Sequence, residues 1–186
     1  SSGLVTGYIS GARGKVNSTN NSVNISGNAV INSYSDIHGG YAYEGDSYQN
    51  KININGGTFA GEICGGYSGH GDVYGNIVNI NGGTFIGNIY GGYAYEGNAY
   101  DNIVNIGGNA NLNGASLYGS NEADSDGNVL NIGECWNGSV KTIRNFNQVS
   151  IRKEAVVTVT DNMTLGNGAT LNLADGSSYT GKYAIN

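Results

Sequence analysis

The sequence predicts an all-β protein: a single parallel β-helix, or β-solenoid, with about 26 residues in each coil. Three observations support this fold. Asparagine recurs every 26 residues, at Asn50, Asn76, Asn102 and Asn128. The 33 glycines fall at fixed places within that repeat, so disorder is the weaker interpretation. Proline is absent, which suits a chain whose backbone N–H groups are needed in hydrogen-bonded ladders.

One segment of every repeat alternates between apolar and polar residues, as a strand with one buried face does. Its three columns are Val23, Ile52, Val78, Val104 and Leu130; Asn24, Asn53, Asn79, Asn105 and Asn131; and Ile25, Ile54, Ile80, Ile106 and Ile132. When the repeats are stacked, residues of the same type lie next to one another in successive coils. We therefore expect the apolar columns to form the core and the asparagines to form a hydrogen-bonded ladder.

A second strand is predicted around the apolar column Ile37, Ile63, Ile89 and Leu117, with Phe59 and Phe85 on the approach to it. Glycine pairs follow this strand at 39–40, 65–66 and 91–92, and we expect them to bend the chain through backbone conformations of positive φ. Helical solenoids are excluded, because the repeats are rich in glycine, asparagine and β-branched residues rather than helix formers.

We expect one continuous solenoid over residues 1–186, with no second domain. Regular repeats cover about 21–148, and shorter coils follow over 149–186. The copy that starts at Asn21 reaches Asn50 in 29 residues, so an insertion of three residues is predicted near Asn32–Tyr34. In the copy from Asn102, Leu117 to Gly119 should align with Ile89 to Gly91. Neither terminus resembles a polar cap, so we expect the solenoid to continue into sequence beyond both ends.

The composition argues against several classes of function. The net charge is −6, and a nucleic-acid partner is not expected because such a partner requires a basic stripe. No apolar run approaches the ~20 residues that cross a bilayer. The two cysteines, Cys64 and Cys135, fall in different columns of the repeat, so we predict that both are unpaired core residues.

The unit NIVNINGGTFIGNIYGGY at 76–93 resembles repeats in the passenger regions of Gram-negative autotransporter proteins, and the closing GNGATLNLADGSSYTG is similar to their C-terminal coils. The resemblance covers about Asn21 to Thr180. It implies a right-handed β-helix outside the cell, on a bacterial surface, either secreted or anchored in the outer membrane through further sequence. The membrane-embedded region of that family is not seen here, so we expect no membrane insertion by this fragment.

Two acidic columns lie in the turn after each Gly-Gly-Tyr. They are Glu44, His70, Glu96 and Asp124, and Asp46, Asp72, Asn98 and Asp126. Stacked coils would hold like charges about 5 Å apart, where they repel by about 1 kcal/mol even in water. A solvated acidic turn is the simplest interpretation. The alternative is a calcium site, because calcium prefers carboxylate and carbonyl oxygens in flexible loops. Its ligands would come from Glu44, Asp46, Asp72, Glu96, Asp124 and Asp126; no other cofactor is expected.

Tyrosine, with 14 copies, provides the second candidate site. Tyr41, Tyr67 and Tyr93 share a column, and Tyr43 and Tyr95 lie two residues further along. Stacked tyrosines can be structural ladders that cover a coil edge. Exposed tyrosines beside carboxylates and amides would also suit carbohydrate, whose apolar faces pack on aromatic rings. All five are therefore candidate ligand-binding residues.

We identify no catalytic residue. Glycoside hydrolysis needs two carboxyl groups about 5–9.5 Å apart, and the acidic columns contain such pairs, for example Asp46 with Asp72. These columns repeat through several coils, however, whereas an active site is normally singular. We therefore expect a non-enzymatic adhesin or self-association fragment that presents an acidic, tyrosine- and asparagine-rich face to a host or bacterial glycan or protein. A polysaccharide lyase or glycoside hydrolase is the alternative, and a structural spacer stalk is the third possibility.

Overall fold

The protein is a β-solenoid. A computed structural model describes residues 4–123, 125–166 and 168–185, and within these ranges every strand pairing is parallel and there is no helix. The chain winds through about seven turns of roughly 26 residues. The all-β solenoid predicted from the repeat is therefore confirmed. The described residues accordingly include no helix that is long and apolar enough to cross a membrane.

Each coil contributes short strands in a fixed order. The first coil contains β1 (Leu4–Val5), β2 (Ile9–Ser10), β3 (Arg13–Gly14) and β4 (Ser18–Thr19). The second contains β5 (Ser22–Ile25), β6 (Val30–Ile31), β7 (Ile37–His38), β8 (Tyr41–Ala42) and β9 (Ser47–Tyr48). The third contains β10 (Lys51–Phe59), β11 (Ile63–Cys64), β12 (Tyr67–Ser68) and β13 (Val73–Tyr74). The fourth contains β14 (Ile77–Phe85), β15 (Asn88–Tyr90), β16 (Tyr93–Ala94) and β17 (Ala99–Tyr100).

The later coils contain fewer strands. They are β18 (Ile103–Ile106) and β19 (Ser116–Tyr118), then β20 (Val129–Ile132) and β21 (Asn137–Arg144), then β22 (Gln148–Ile151) and β23 (Val156–Leu165). The chain ends with β24 (Thr170–Leu173), β25 (Ser178–Thr180) and β26 (Tyr183–Ile185).

Stacking of the coils produces four parallel sheets. The first sheet runs in the order β1-β6-β10-β14-β18-β20-β22-β24, with β5 also on β10. The second runs in the order β2-β7-β11-β15-β19-β21-β23-β25, with β26 also on β23. The third and fourth sheets have four strands each, β3-β8-β12-β16 and β4-β9-β13-β17. These two small sheets end at the fourth coil.

The strand register confirms most of the predicted alignment. Ile63 pairs with Ile89 at an offset of 26, and Ile89 pairs with Leu117 at 28, which is the predicted internal shift. The insertion in the second coil is divided rather than single. Relative to the third coil the offset is 29 at Ser22, 28 at Val30 and 26 at Ile37. One extra residue therefore precedes β6, and two lie between β6 and β7, where Asn32–Tyr34 form the turn.

The core is a stack of apolar columns inside the coils. The predicted columns that begin at Val23 and Ile37 are buried in every coil, and Phe59 stacks on Phe85 with ring centroids 4.8 Å apart. Each fully buried Ile or Phe side chain contributes about 1.5–3 kcal/mol relative to an exposed one. Cys64 is buried and both cysteines are free, as predicted, but Cys64 lies outside this apolar core because it follows the inward-facing Ile63 on β11. The prediction for Cys135 was wrong: it is exposed, because the chain turns there at φ 58° and the next residue, Trp136, fills the core.

Two asparagine ladders run along the solenoid. The predicted ladder is confirmed: Asn79 donates to Asn53, Asn105 to Asn79 and Asn131 to Asn105, each at 2.8 Å. A second ladder lies at the repeat boundaries and is buried; it contains Asn50, Asn76, Asn102 and Asn128. In each step one side-chain oxygen accepts both the backbone N–H and the amide N–H of the preceding asparagine, at 3.0–3.2 Å.

The glycine pairs have a different role from the one predicted. The residues at 39–40, 65–66 and 91–92 do not have positive φ. They are glycines because the corner is crowded. A Cβ on Gly65 would contact the carbonyl oxygen of Gly91, and a Cβ on Gly66 would lie 2.7 Å from the Nδ2 atom of Asn76. The absence of side chains on these glycines thus leaves room for the next coil and for the buried asparagine ladder.

Candidate functional site

A groove runs across the coils where the second sheet meets the third. On one side lie β7, β11 and β15, and on the other lie β8, β12 and β16, with a glycine pair at each corner between them. The residues that flank these glycine pairs line an open cleft. The cleft has a volume of about 390 Å³ and is lined by Tyr8, Arg13, Asp36, His38, Tyr41, Glu62, Cys64, Tyr67, Tyr93 and Tyr95.

One wall of the groove is a ladder of tyrosines. The ring centroids of Tyr41 and Tyr67 are 4.9 Å apart with an interplanar angle of 8°, and those of Tyr67 and Tyr93 are 5.4 Å apart at 14°. The guanidinium of Arg13 lies 4.4 Å from the centroid of Tyr41 and covers the ladder at that end. The rings therefore cover one another's faces, and the ladder offers the groove ring edges and phenolic hydroxyls rather than flat surfaces.

The hydroxyls of this ladder are hydrogen-bond donors at neutral pH. Burial raises the pKa of Tyr67 and of Tyr93, and the negative charge of Glu62 adds to the effect at Tyr93. Within the described residues these two hydroxyls form no hydrogen bond to the chain and are not buried. They are open to a ligand in the groove.

The facing wall carries a column of three different residues, His38, Cys64 and Tyr90, on adjacent strands. His38 is only 6% exposed, and its ring lies 5.5 Å from that of Tyr41 and 5.3 Å from that of Tyr67. Burial lowers the pKa of His38 to about 4; Asp36 opposes this shift and Arg13 adds to it. Its Nδ1 atom is buried and lacks a hydrogen-bond partner among the described residues. Burial also raises the pKa of the Cys64 thiol, so this cysteine is not a thiolate.

Two carboxylates lie one coil apart beside this column. The Oδ1 atom of Asp36 accepts the backbone N–H of Glu62 at 3.0 Å, and the Oε1 atom of Glu62 accepts the side-chain amide of Asn88 at 3.1 Å. Each carboxylate keeps its second oxygen for another donor. The groove therefore combines a row of donors on one wall with acceptors on the other, which is an arrangement suited to a ligand rich in hydroxyl groups.

The other two predicted tyrosines lie outside the ladder. Tyr43 is 53% exposed and Tyr95 is 66% exposed. The rings of Tyr43 and His70 are nearly perpendicular, at 89°, with centroids 5.4 Å apart. A second, smaller cavity of about 270 Å³ separates Tyr43 from Tyr95, and Tyr95 lines both cavities. All five predicted tyrosines therefore lie on one face of the solenoid.

Two carboxylates of the first acidic column lie beside basic side chains. Lys15 lies 3.3 Å from Glu44, and the Nδ1 atom of His70 lies 2.6 Å from Glu96. His70 thus occupies the predicted position next to Glu96. Asp124, the last member of this column, lies outside the described residues.

The second acidic column caps the backbone of the next coil. The Oδ1 atom of Asp46 accepts the N–H of Asp72, and that of Asp72 accepts the N–H of Asn98, both at 2.9 Å. Asp126 is exposed at the end of the column. Among the residues that the structure describes, no group of three or more His, Cys, Asp or Glu side chains could hold a metal ion. Calcium binding at Glu44, Asp46, Asp72, Glu96, Asp124 and Asp126 stays a prediction.

Sequence reasoning did not find the groove residues Tyr8, Arg13, Asp36, His38, Glu62 and Cys64. The signal was present in the alignment, because Asp36 and Glu62 directly precede the aligned Ile37 and Ile63 and so face outwards. The aligned members of these outward columns differ in chemistry, so the columns do not stand out as repeats. Another tyrosine ladder was also missed. It contains Tyr48, Tyr74 and Tyr100, whose successive ring centroids are 4.9 and 5.1 Å apart.

Comparisons of the chain with protein-family models, with curated proteins and with solved structures found no match. A solenoid can support many activities, so its function has to be inferred from the groove.

Proposed function

We propose that the protein is a non-enzymatic adhesin of a bacterial cell surface that binds the uncharged part of a glycan chain in the groove. The observation that carries this proposal is the pairing of two walls: phenolic donors at Tyr67 and Tyr93 face carboxylate acceptors at Asp36 and Glu62. Tyr67 and Tyr93 are one coil apart, about 4.8 Å, and so are Asp36 and Glu62, so an extended polymer can make similar contacts at two successive sugar residues.

The charges in the groove favour a neutral ligand. Asp36 and Glu62 bring two negative charges, whereas Arg13 brings one positive charge and already lies over Tyr41. An acidic sugar would meet repulsion from the carboxylates without a free cation to bind it. A neutral sugar would instead donate its hydroxyls to those carboxylates, and hydrogen bonds to a charged group are among the stronger ones.

The chemistry of the groove residues favours binding over catalysis. Cys64 is buried and its thiol has a raised pKa, so it is a poor nucleophile. Asp36 holds the backbone of the next coil, and Glu62 holds Asn88. These carboxylates therefore have structural partners that fix them in position.

One observation favours a carbohydrate-active enzyme as the second candidate function. Asp36, His38, Glu62 and Arg13 meet at one place on the solenoid, and that combination does not recur in the other described coils. Asp36 and Glu62 lie on adjacent coils, about 5 Å apart at the backbone, and glycoside hydrolysis uses such a pair of neighbouring carboxyl groups. Cleavage of a polysaccharide would make this cluster the active site.

The surface location rests on the resemblance of the repeat at 76–93 to autotransporter passenger regions. An adhesin in that setting presents a long, rigid face away from the cell, to a host or bacterial glycan or protein, or to a second copy of itself. A spacer stalk would share the fold but would need no groove. The presence of a polar groove with open hydrogen-bonding groups therefore favours the adhesin.

The test is incubation of the purified protein on an array of neutral and acidic polysaccharides, with retained protein and new chain ends both measured. We expect retention on neutral glycans without new ends. Glu62→Gln should weaken retention about ten-fold, because it replaces a charged acceptor. Glu134→Gln, on an exposed residue outside the groove, is the matched control. New chain ends would make the protein an enzyme, and the absence of both signals would overturn the glycan-binding proposal and leave a protein partner, self-association or the spacer stalk.

A further inference from the structure

We propose that the gap between Tyr43 and Tyr95 is a binding slot for one uncharged pyranose ring. This inference rests on the proposed glycan-binding function and adds a specific subsite to it, beside the groove. The ligand class is a neutral hexose unit that is free on both ring faces, either at the end of a glycan chain or as a branch.

The slot exists because one coil lacks an aromatic residue that its neighbours have. Tyr43, Gly69 and Tyr95 occupy equivalent positions in three successive coils. This alignment follows from the backbone, since the N–H of Gly69 donates to Ala42 and the N–H of Tyr95 donates to Ser68. The column is therefore a tyrosine ladder with its middle ring missing.

The width of the gap matches one ring. In the complete tyrosine ladders of this protein, rings on successive coils have centroids 4.8–5.4 Å apart. Tyr43 and Tyr95 are two coils apart, which corresponds to about 10 Å between backbones. A ring held at the level of Gly69 would lie about 5 Å from each tyrosine, within the usual range of ring packing.

A side chain at position 69 would not fit between the two tyrosines without a shift of the backbone. A Cβ atom on Gly69 would lie 2.6 Å from the carbonyl oxygen of Tyr43, so a side chain at this position would require the backbone to move. The resulting cavity of about 270 Å³ is lined by Tyr41, Tyr43, Tyr67, Gly69, His70 and Tyr95. Both walls are more than half exposed, so a ligand can enter from solvent.

The rim of the slot favours a sugar over a purely aromatic ligand. His70 and Glu96 pair at 2.6 Å and supply polar atoms to the rim. A pyranose ring carries C–H groups on its faces and hydroxyls at its edge. Held between Tyr43 and Tyr95, it would pack its faces on the two rings and direct hydroxyls towards the His70–Glu96 pair. An aromatic ring would leave those polar atoms unused.

The experiment is ligand-detected NMR with methyl β-D-glucopyranoside, methyl β-D-galactopyranoside and p-cresol as probes, on the whole chain. We expect saturation transfer to the ring protons of at least one methyl glycoside. Tyr43→Ala and Tyr95→Ala should each weaken this binding about ten-fold, because each removes one face of the sandwich. Tyr34→Ala is the control, since Tyr34 is 87% exposed and does not line the slot. Circular dichroism would show that each variant is folded.

The outcomes separate this inference from the proposed function. Equal binding of the glycoside by the wild type, Tyr43→Ala and Tyr95→Ala would overturn the slot, as would binding of p-cresol alone. If polysaccharides are still retained in a manner that depends on Glu62, the groove function stands without the slot. If the glycoside binds between the two tyrosines but no polysaccharide is retained, the slot stands and the groove function fails.

Discussion

His38 is a histidine that the fold holds in its neutral form. It lies beside Tyr8, Tyr41 and Tyr67, and the charged groups nearest to it are Asp36 and Arg13. Burial is the main cause of its pKa of about 4, which is well below the ordinary value of 6.5. In the unfolded chain the same side chain takes up a proton near pH 6.5. Between these two values the unfolded state binds more protons, so stability rises with pH in this window and falls as pH is lowered.

We therefore expect the free energy of unfolding to fall as pH is lowered from about 6.5 to 4, by up to about 3 kcal/mol from His38 alone. The measurement is a series of urea denaturation curves across that range. His38→Leu removes the titrating group and should flatten the dependence. Equal slopes in the wild type and His38→Leu would contradict this account of His38.

The groove shows why single residues were the hardest features to predict. The inward columns repeat in chemical type, so alignment of the sequence identifies them at once. The outward neighbours of the second strand change from Asp36 to Glu62 to Asn88, and from His38 to Cys64 to Tyr90. A specific ligand site requires side chains that differ from coil to coil, whereas the core of stacked coils requires the same apolar residues in every coil. The features that make the groove specific are therefore the ones that periodicity does not reveal.

At the scale of one element, the two asparagine ladders differ in what they stabilise. Asn79 lies on the outer ladder, is half-buried, and exchanges one amide hydrogen bond with each neighbouring coil. Asn76 is fully buried, and its side-chain oxygen accepts two hydrogen bonds from Asn50 while its amide donates to Ser47 and Asn102. Loss of Asn76 would leave several buried polar groups without partners, each at a cost of about 1–3 kcal/mol.

We expect Asn76→Ala to destabilise the protein by about 3 kcal/mol or more, and Asn79→Ala by about 1 kcal/mol. The two substitutions make the same chemical change three residues apart in one strand region, so each is the control for the other. Urea midpoints would measure the difference. Equal effects would show that burial of the inner ladder does not set its contribution.

The sequence predicted the position of the corner beside this inner ladder correctly, but it did not predict why glycines are required there. The sequence marks Gly65 and Gly66 as a bend, and backbone freedom is the ordinary reason for such a pair. In the folded chain the reason is space, because the neighbouring coil and Asn76 occupy the volume of the missing side chains. That reason involves residues of another coil, so it follows only from the packed structure.

For the whole molecule, the fold was predictable because successive coils repeat the same pattern of apolar and polar residues. Five coils carry the same apolar–asparagine–apolar segment, and a stack of like on like is the arrangement that buries every apolar column. Local departures were harder to place. The divided insertion before β7 follows from pairings on both sides of it, which the spacing of Asn21 and Asn50 alone does not resolve.

The chain has a net charge of −6, and part of that charge lies in the acidic turns. If the acidic turns formed a calcium site, the ion would stabilise the solenoid as a ligand of the folded state, by about 2.7 kcal/mol at 100 times its dissociation constant. In a chain of this size that is a rise of roughly 5–10 °C in melting temperature. Asp46 and Asp72 already accept backbone N–H groups, however, and Glu44 and Glu96 have basic partners.

We therefore expect the melting temperature in millimolar calcium to equal that in EDTA to within about 1 °C at matched ionic strength. Magnesium is the control for a general effect of divalent charge. Asp72→Asn keeps the oxygen that accepts the N–H of Asn98 but removes one negative charge. It should leave the melting temperature unchanged or raise it slightly, because repulsion from Asp46 is relieved. A rise of several degrees that requires calcium and disappears in Asp72→Asn would instead establish a metal site in these turns.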